Sequence, residues 1–216
     1  MHALLRNAAF VFVVWLGLTS FPVEACRGQV MINEILADPV LDWDGDGIAN
    51  FRNDEWLEIV NIGPTAVSLE GLYVTDAAND FRFGFAGTLA PGVTQVVYGS
   101  QSVAWETATG ASIVGLSLNN AGDTVRLFHV SGVDTVLVDE YIYAAHEGLD
   151  DRSTGRHPDG AATWFVFDSL NPYTGTTAPL GTMCPPTPGL MNGCPVPVEG
   201  TTWGEVKQRY RAGRLP

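Results

Sequence analysis

The sequence predicts an all-β fold, a sandwich of antiparallel strands, and three observations carry the prediction. Apolar and polar residues alternate in short runs, as a strand with one buried face requires. About eight such runs recur at 8–12-residue spacing, divided by 24 glycines and 13 prolines that punctuate short elements rather than long helices. Between them no stretch shows convincing helical spacing. At 46% hydrophobic and 16% charged, the 216-residue chain has the apolar material for a packed core and is no disordered acidic polymer.

The first strand is "VMINEILADP" (Val30 to Pro39), stopped by Asp-Pro. In "EWLEIVNIG" (Glu55 to Gly63), Leu57 and Ile59 alternate with Glu58. "AVSLEGLYVTDA" and "FRFGF" follow, then "TLAPGVTQVVYGS", where Pro91-Gly92 turns the chain before Val96, Val97 and Tyr98. Val125, Leu127 and His129 alternate with Arg126 and Phe128, Ser131-Gly132 reverses the chain, and Thr135 to Tyr143 returns as the hairpin partner. On that return strand, Asp139, Tyr141 and Tyr143 oppose Val138, Glu140 and Ile142, and the pattern leaves the inward face open. "ATWFVFDSL" (Ala161 to Leu170) supplies the last strand. Sheets with one apolar face each bury them against one another, which gives the sandwich.

The blocks in this order resemble the lamin tail domain family. "VMINEILADP" is similar to its opening strand, "DEWLEIVNIG" to its next block, and "LAPG" with "VVYG" to its central hairpin. "LNNAGDTVRL", "GRHPDGAATW" and "PTPGLMN" resemble its later segments, so the resemblance covers about residues 29 to 193. The chain departs from the pattern between Trp164 and Pro186, where a stretch including Cys184 separates two blocks that usually sit closer. The resemblance implies an immunoglobulin-like β-sandwich and a non-catalytic module of the kind that bacteria export. The expected organisation is a signal peptide over 1–25, the sandwich over 26–193, and a linker with a basic tail over 194–216.

The densest charge lies in "DWDGDGIANFRNDEWLE", where six carboxylates meet one cation, Arg52. Asp42, Asp44, Asp46, Gly47, Ile48 and Asn50 occupy positions 1, 3, 5, 6, 7 and 9 of a calcium loop. The three aspartates converge on one ion, Gly47 permits the turn, Ile48 offers its carbonyl, and Asn50 ligates directly or through water. Position 12 is Asn53 rather than the usual Glu, so Asp54 or Glu55 is expected to reach in from beyond it. With no flanking helices the loop is not an EF-hand, and the expected role of Ca²⁺ is structural, at the start of the strand from Trp56. The same residues also fit an Asp/Gly-rich turn that needs no ion.

The ends carry their own signals. His2 and Arg6 precede an apolar run, Ala8 to Leu18, and Val23 and Ala25 suit cleavage after Ala25: the layout of a secretory signal peptide. That run is too short for a comfortable membrane span of about 20 residues. Cleavage would make Cys26 the first residue; Glu24 suits a lipoprotein signal poorly, so an ordinary cut is favoured over a lipid anchor. In an exported chain Cys184 and Cys194, ten apart, are expected to form a disulfide. The tail "TTWGEVKQRYR" opens with a capping-box pattern, and Trp203, Val206 and Tyr210 share a face flanked by Lys207, Arg209 and Arg211. A helix that short needs a partner surface, and the segment reads either as a sorting tag or as a frayed basic end.

Residues 26–198 hold six arginines against 21 acids, a net charge of −15, which repels a phosphate backbone and argues against duplex nucleic acid as a partner. No Gly-x-Ser-x-Gly elbow, HExxH pair or Gly-rich phosphate loop occurs, and His129, His146 and His157 fall in unrelated settings. The expected function is an exported structural or protein-interaction module acting on an unidentified extracellular protein or cell-surface component. The alternative is a carbohydrate- or cell-surface-binding module, in which Trp43 and Trp105, expected in loops, stack on sugar rings.

Overall fold

The computed structural model describes residues 29–194. The expected signal peptide, Cys26, and the tail with Trp203, Lys207, Arg209, Tyr210 and Arg211 lie outside the described residues.

Eleven strands and one helix follow in order: β1 Val30–Leu36, β2 Trp56–Asn61, β3 Val67–Ser68, β4 Leu72–Thr75, β5 Phe81–Gly84, β6 Thr88–Leu89, β7 Thr94–Tyr98, α1 Gly99–Thr109, β8 Gly122–Ser131, β9 Asp134–Ala144, β10 Ser153–Arg156 and β11 Trp164–Phe167. One sheet runs β11-β10-β1-β2-β7, the other β5-β4-β8-β9, and β3 pairs with β6 in a short ribbon. Every paired strand is antiparallel. The all-β expectation holds. Between the sheets lies one core, with Ile32, Ile35, Leu57, Ile59 and Val97 from the first facing Leu72, Val74, Val125, Leu127 and Tyr143 from the second.

Two bulges set which residues point inward. In β1 the register slips between Ile32 and Glu34, so Asn33 is the extra residue. Ile32 and Ile35, three apart, both reach the core because the bulge shifts the period by one. In β9 the slip opposite Leu127 and Phe128 makes Val138 the extra residue. Beyond it Tyr141 and Tyr143 turn inward while Ile142 stays 65% exposed, which answers the ambiguity of that strand.

Asp139 thereby faces the opposite sheet, accepting the Ile32 amide at 2.9 Å and pairing with Arg156 at 3.0 Å. Arg156 also donates to the carbonyls of Ile32 and Ala161 and lies 4.7 Å from the Trp164 ring centroid. Trp164 in turn stacks on Tyr141. A satisfied ion pair and a stacked pair of rings therefore join the two sheets at this edge.

Two elements depart from the sequence expectation. The segment after β7, expected to hold no helix, forms α1. It buries Gly99, Ser102 and Glu106 rather than an apolar stripe, so no amphipathic signal marks it. Gly99 packs so closely on the Arg52 carbonyl that a Cβ there would sit 1.8 Å from its oxygen. Ser102 Oγ donates to the Arg82 carbonyl at 2.6 Å, which seats the helix over the edge strand β5. The second departure is β10, whose "STGR" is polar yet wholly buried. Thr154 and Arg156 are covered by Tyr141, Glu147 and Asp139 on the side of the other sheet, and Ser153 and Gly155 by a C-terminal strap, residues 180–192, on the outer face of the five-stranded sheet. The strap bridges β11 through Val166 and Gly181 and is closed by the Cys184–Cys194 disulfide. Among the described residues no helix is long and apolar enough to cross a membrane.

Candidate functional site

The acidic loop connects β1 to β2, and its three aspartates are brought together by its own backbone. Asp42, Asp44 and Asp46 each present a carboxylate oxygen, all within 4.8 Å of one another. Asp42 accepts the amides of Gly45 and Gly47 at 2.9 and 2.8 Å. Asp44 accepts that of Asp46 at 3.0 Å, and Asp46 that of Ile48 at 2.7 Å. Gly45 and Gly47 take φ of +78° and +91°, a region that L side chains resist, so the turn needs glycine at both places. No ion pair reaches the three aspartates among the described residues. Like charges gathered this closely repel, and hard oxygens converging on one point are the donor set that a divalent cation of calcium's size accepts. The residues present fit Ca²⁺.

The carboxylates of Asp54 and Glu55 fall outside that cluster. Asp54 is fully buried, and its Oδ1 accepts the amides of Trp43 and Asp44 at 2.7 and 2.9 Å while Oδ2 accepts that of Asn50 at 2.6 Å. It braces the loop from beneath, outside the cluster of the three aspartates. Glu55 turns to the far side of the strand start, where the Leu118 amide donates to it at 3.3 Å. Burial pushes its carboxyl up to about 8, opposed by the Leu118 and Ser117 amides. The physical reason is strand alternation: once Trp56 opens β2, neighbouring side chains leave on opposite faces. Asn50 spends its Oδ1 on the amides of Arg52 and Asn53, so a water rather than its own oxygen suits the ninth position. Ile48 exposes its side chain, 66% accessible, which leaves its role to the backbone carbonyl.

Neither tryptophan sits in an open loop as a bare platform. Trp43 donates its indole N–H to Asp151 at 2.8 Å and leans on Trp56 at 6.0 Å, so it closes the end of the sandwich. Trp105 lies on α1, edge-on to Tyr73, and lines a cleft of about 510 Å³ with Asp80, Phe81 and Arg82. Two of the three described histidine rings contact backbone carbonyls: His146 that of Pro179 and His157 that of Asn192.

Sequence reasoning missed a buried polar network under the strap. Glu34, fully buried, accepts from the hydroxyls of Ser153 and Thr187 and from the Thr187 amide. Glu58 accepts Asn33 Nδ2 at 2.7 Å and the Gly189 amide at 2.7 Å. Asn192 donates to the carbonyls of Asn33 and Arg156, and its amide reaches Asp159 at 2.8 Å. Burial drives the Glu34 carboxyl up to about 8 and that of Glu58 to about 7, against the hydrogen bonds that favour their ionised forms. The available signal was that "INE", "WLE", "RHPDG" and "PTPGLMN", four separated blocks of the resemblance, each carry polar side chains at positions a strand or its cover would bury. They meet here.

No curated protein matches the chain. Among protein-family models, that of the Lamin Tail Domain matches residues 24–145, which takes in the acidic loop and both strands of the long hairpin. The match stops short of β10 and β11, although these strands complete the sheet that β1 begins. With more than half of its length matched and two antiparallel sheets packed on one core, the chain belongs to the lamin tail domain family of immunoglobulin-like modules.

Proposed function

We propose that this chain is an exported, non-catalytic interaction module whose 42–50 loop binds one structural calcium ion. The observation that carries the reading is the convergence of Asp42, Asp44 and Asp46 on a loop that Asp54 ties to the start of β2. Asp42, Asp44 and Asp46 would hold the ion with the Ile48 carbonyl, and Asn50 would act through water. Calcium would supply the positive charge that the loop lacks. The signal-peptide layout of residues 1–25 supports export, where calcium is millimolar and an affinity of about 10⁻⁴–10⁻³ M is enough for occupancy. The family supports a scaffold that binds other macromolecules, here an extracellular protein or cell-surface component.

Differential scanning calorimetry with calcium or chelator tests the reading. A ligand at about tenfold its Kd stabilises the native state by about 1.4 kcal/mol, or roughly 3–4 °C for a domain of this size. Asp44→Ala should remove the shift. Identical melting curves with calcium and with chelator would overturn the site.

The carbohydrate-binding reading keeps one observation in its favour, the Trp105 cleft with its Asp80–Arg82 pair, 3.4 Å apart. Saturable retention on a polysaccharide that is lost in Trp105→Ala would favour it over the protein-interaction reading.

A further inference from the structure

Arg82 is a buried cation with part of its hydrogen-bonding capacity unspent. It lies on the edge strand β5, yet its side chain is only 9% exposed. Nε and Nη2 donate to Asp76 Oδ2 at 3.0 and 2.8 Å, and Nη2 also reaches Asp80 at 3.4 Å. Nη1 makes no hydrogen bond among the described residues, and its ion-pair partner, Glu106 Oε1, stays 3.7 Å away. Glu106 Oε1 is sealed from solvent without a hydrogen-bond partner, as are Trp56 Nε1, Thr75 Oγ1 and His129 Nδ1. Nη1 is not among these sealed atoms, so its spare N–H groups meet open space. That space is the cleft of about 510 Å³ that Arg82 lines.

The surrounding groups decide what the cleft can hold. Asp76, Asp80 and Glu106 share one guanidinium, so the local charge is negative and an anion is repelled. Arg82 itself, facing the opening, opposes a cation. What fits Nη1 is an uncharged acceptor. Beside it Asp80, with its side chain 71% exposed, accepts from a donor. Trp105 and Phe81 give the cleft aromatic walls. Its volume lies within the range of about 300–1,000 Å³ usual for small-ligand sites. A peptide cannot enter by adding a strand to β5, because α1 covers that edge and Ser102 donates to the Arg82 carbonyl.

We infer that this cleft binds one neutral pyranose ring of a glycan, read through a pair of hydroxyls on adjacent carbons. One hydroxyl accepts from Arg82 Nη1, its neighbour donates to Asp80, and the C–H face of the ring packs on the Trp105 wall. A vicinal diol supplies acceptor and donor from one uncharged ring, across a guanidinium and a carboxylate that lie 3.4 Å apart. Equatorial hydroxyls leave the ring's apolar face free to lie on an aromatic side chain. The inference rests on the carbohydrate reading, and adds to it the class of sugar and the two side chains that read it. It does not depend on the 42–50 loop, which contributes no residue to this cleft.

The test follows the amide resonances of Gly110, Ala111 and Ser112 in the full chain, with chelator present. Methyl β-D-glucopyranoside, cyclohexanol, N-acetylglycine amide and inorganic phosphate are added in separate titrations. The glucoside should give saturable shifts, and the other three none. Asp80→Ala, at an exposed position, should weaken glucoside binding by about tenfold, the effect of losing a charged hydrogen-bond partner. Contacts from the sugar ring protons to the Trp105 indole in wild-type protein keep the test decisive should that variant fail to fold. An equal response to cyclohexanol would overturn the diol, and absence of the indole contacts the packing on Trp105. Saturable shifts with phosphate would make Arg82 an anion site, and with acetylglycine amide a peptide site, each against the proposal. Should the chain be retained on a polysaccharide through Trp105 while the glucoside shifts nothing or Asp80→Ala changes nothing, the carbohydrate reading stands and this assignment falls. Neither retention nor glucoside shifts would remove both.

Discussion

Replacing Glu34 by Gln probes the network that seats the strap. Glu34 is fully buried, and its carboxyl is raised from 4.5 to about 8 by burial, with Glu58 adding to the rise. Between those values the unfolded chain has lost the proton and the folded chain keeps it. Stability present at low pH is therefore lost as pH rises, at about 1.4 kcal/mol per pH unit for one such group. Glu55, raised to about 8, and Glu58, raised to about 7, act in the same direction. Wild-type protein should accordingly be more stable near pH 5 than near pH 7.5. Glu34→Gln keeps the shape, removes the titration, and should abolish about one third of that slope, leaving the variant at least as stable as wild type at neutral pH. Urea denaturation at half-unit steps from pH 5 to 7.5, in chelator, measures both slopes. An unchanged slope in the variant, or wild-type stability that climbs over this range, would refute the reasoning.

Three further perturbations have defined outcomes. Arg156→Met strands the half-buried Asp139, whose partner lies at 3.0 Å, and should cost about 2–3 kcal/mol by denaturation, with much of the loss recovered in Arg156→Met/Asp139→Leu. Gly99→Ala drives a Cβ to 1.8 Å from the Arg52 carbonyl oxygen, so at least about 1–3 kcal/mol should be lost in thermal unfolding. Cys184→Ser/Cys194→Ser opens the ten-residue loop, and a loss of about 2–3 kcal/mol should appear together with faster amide exchange at Thr182, which bonds the edge of β11 at 3.0 Å.

The legible parts of the fold were those in which alternation and turn residues agree. β1, β2 and β8 announce themselves because their inward positions are largely aliphatic, and the β8–β9 hairpin because Ser131-Gly132 reverses the chain between two long strands. Strand β10 is illegible for the opposite reason: Ser153 and Thr154 are buried by hydrogen bonding to Glu34 and Glu147, a cause that lies 119 and 7 residues away. Helix α1 buries a glycine, a serine and a glutamate, so its inward face looks like an exposed one. The bulges at Asn33 and Val138 shift the period without any composition signal.

The candidate site divides along the same line. Positions 42, 44 and 46 are close in space because they are close in sequence, and spacing alone brings them together. Asp54 and Glu55 look equally available in the sequence, yet one is drawn beneath the loop by three amides and the other is carried across by the strand that follows. Tertiary packing decides between them, and no local pattern contains it.

Isothermal titration of calcium into chelator-stripped protein, beside a variant with Asp42, Asp44 and Asp46 all changed to Asn, addresses the main proposal most directly. One ion per wild-type chain with a millimolar or tighter constant, and none in the variant, is the predicted result. Heats indistinguishable between the two proteins would contradict it.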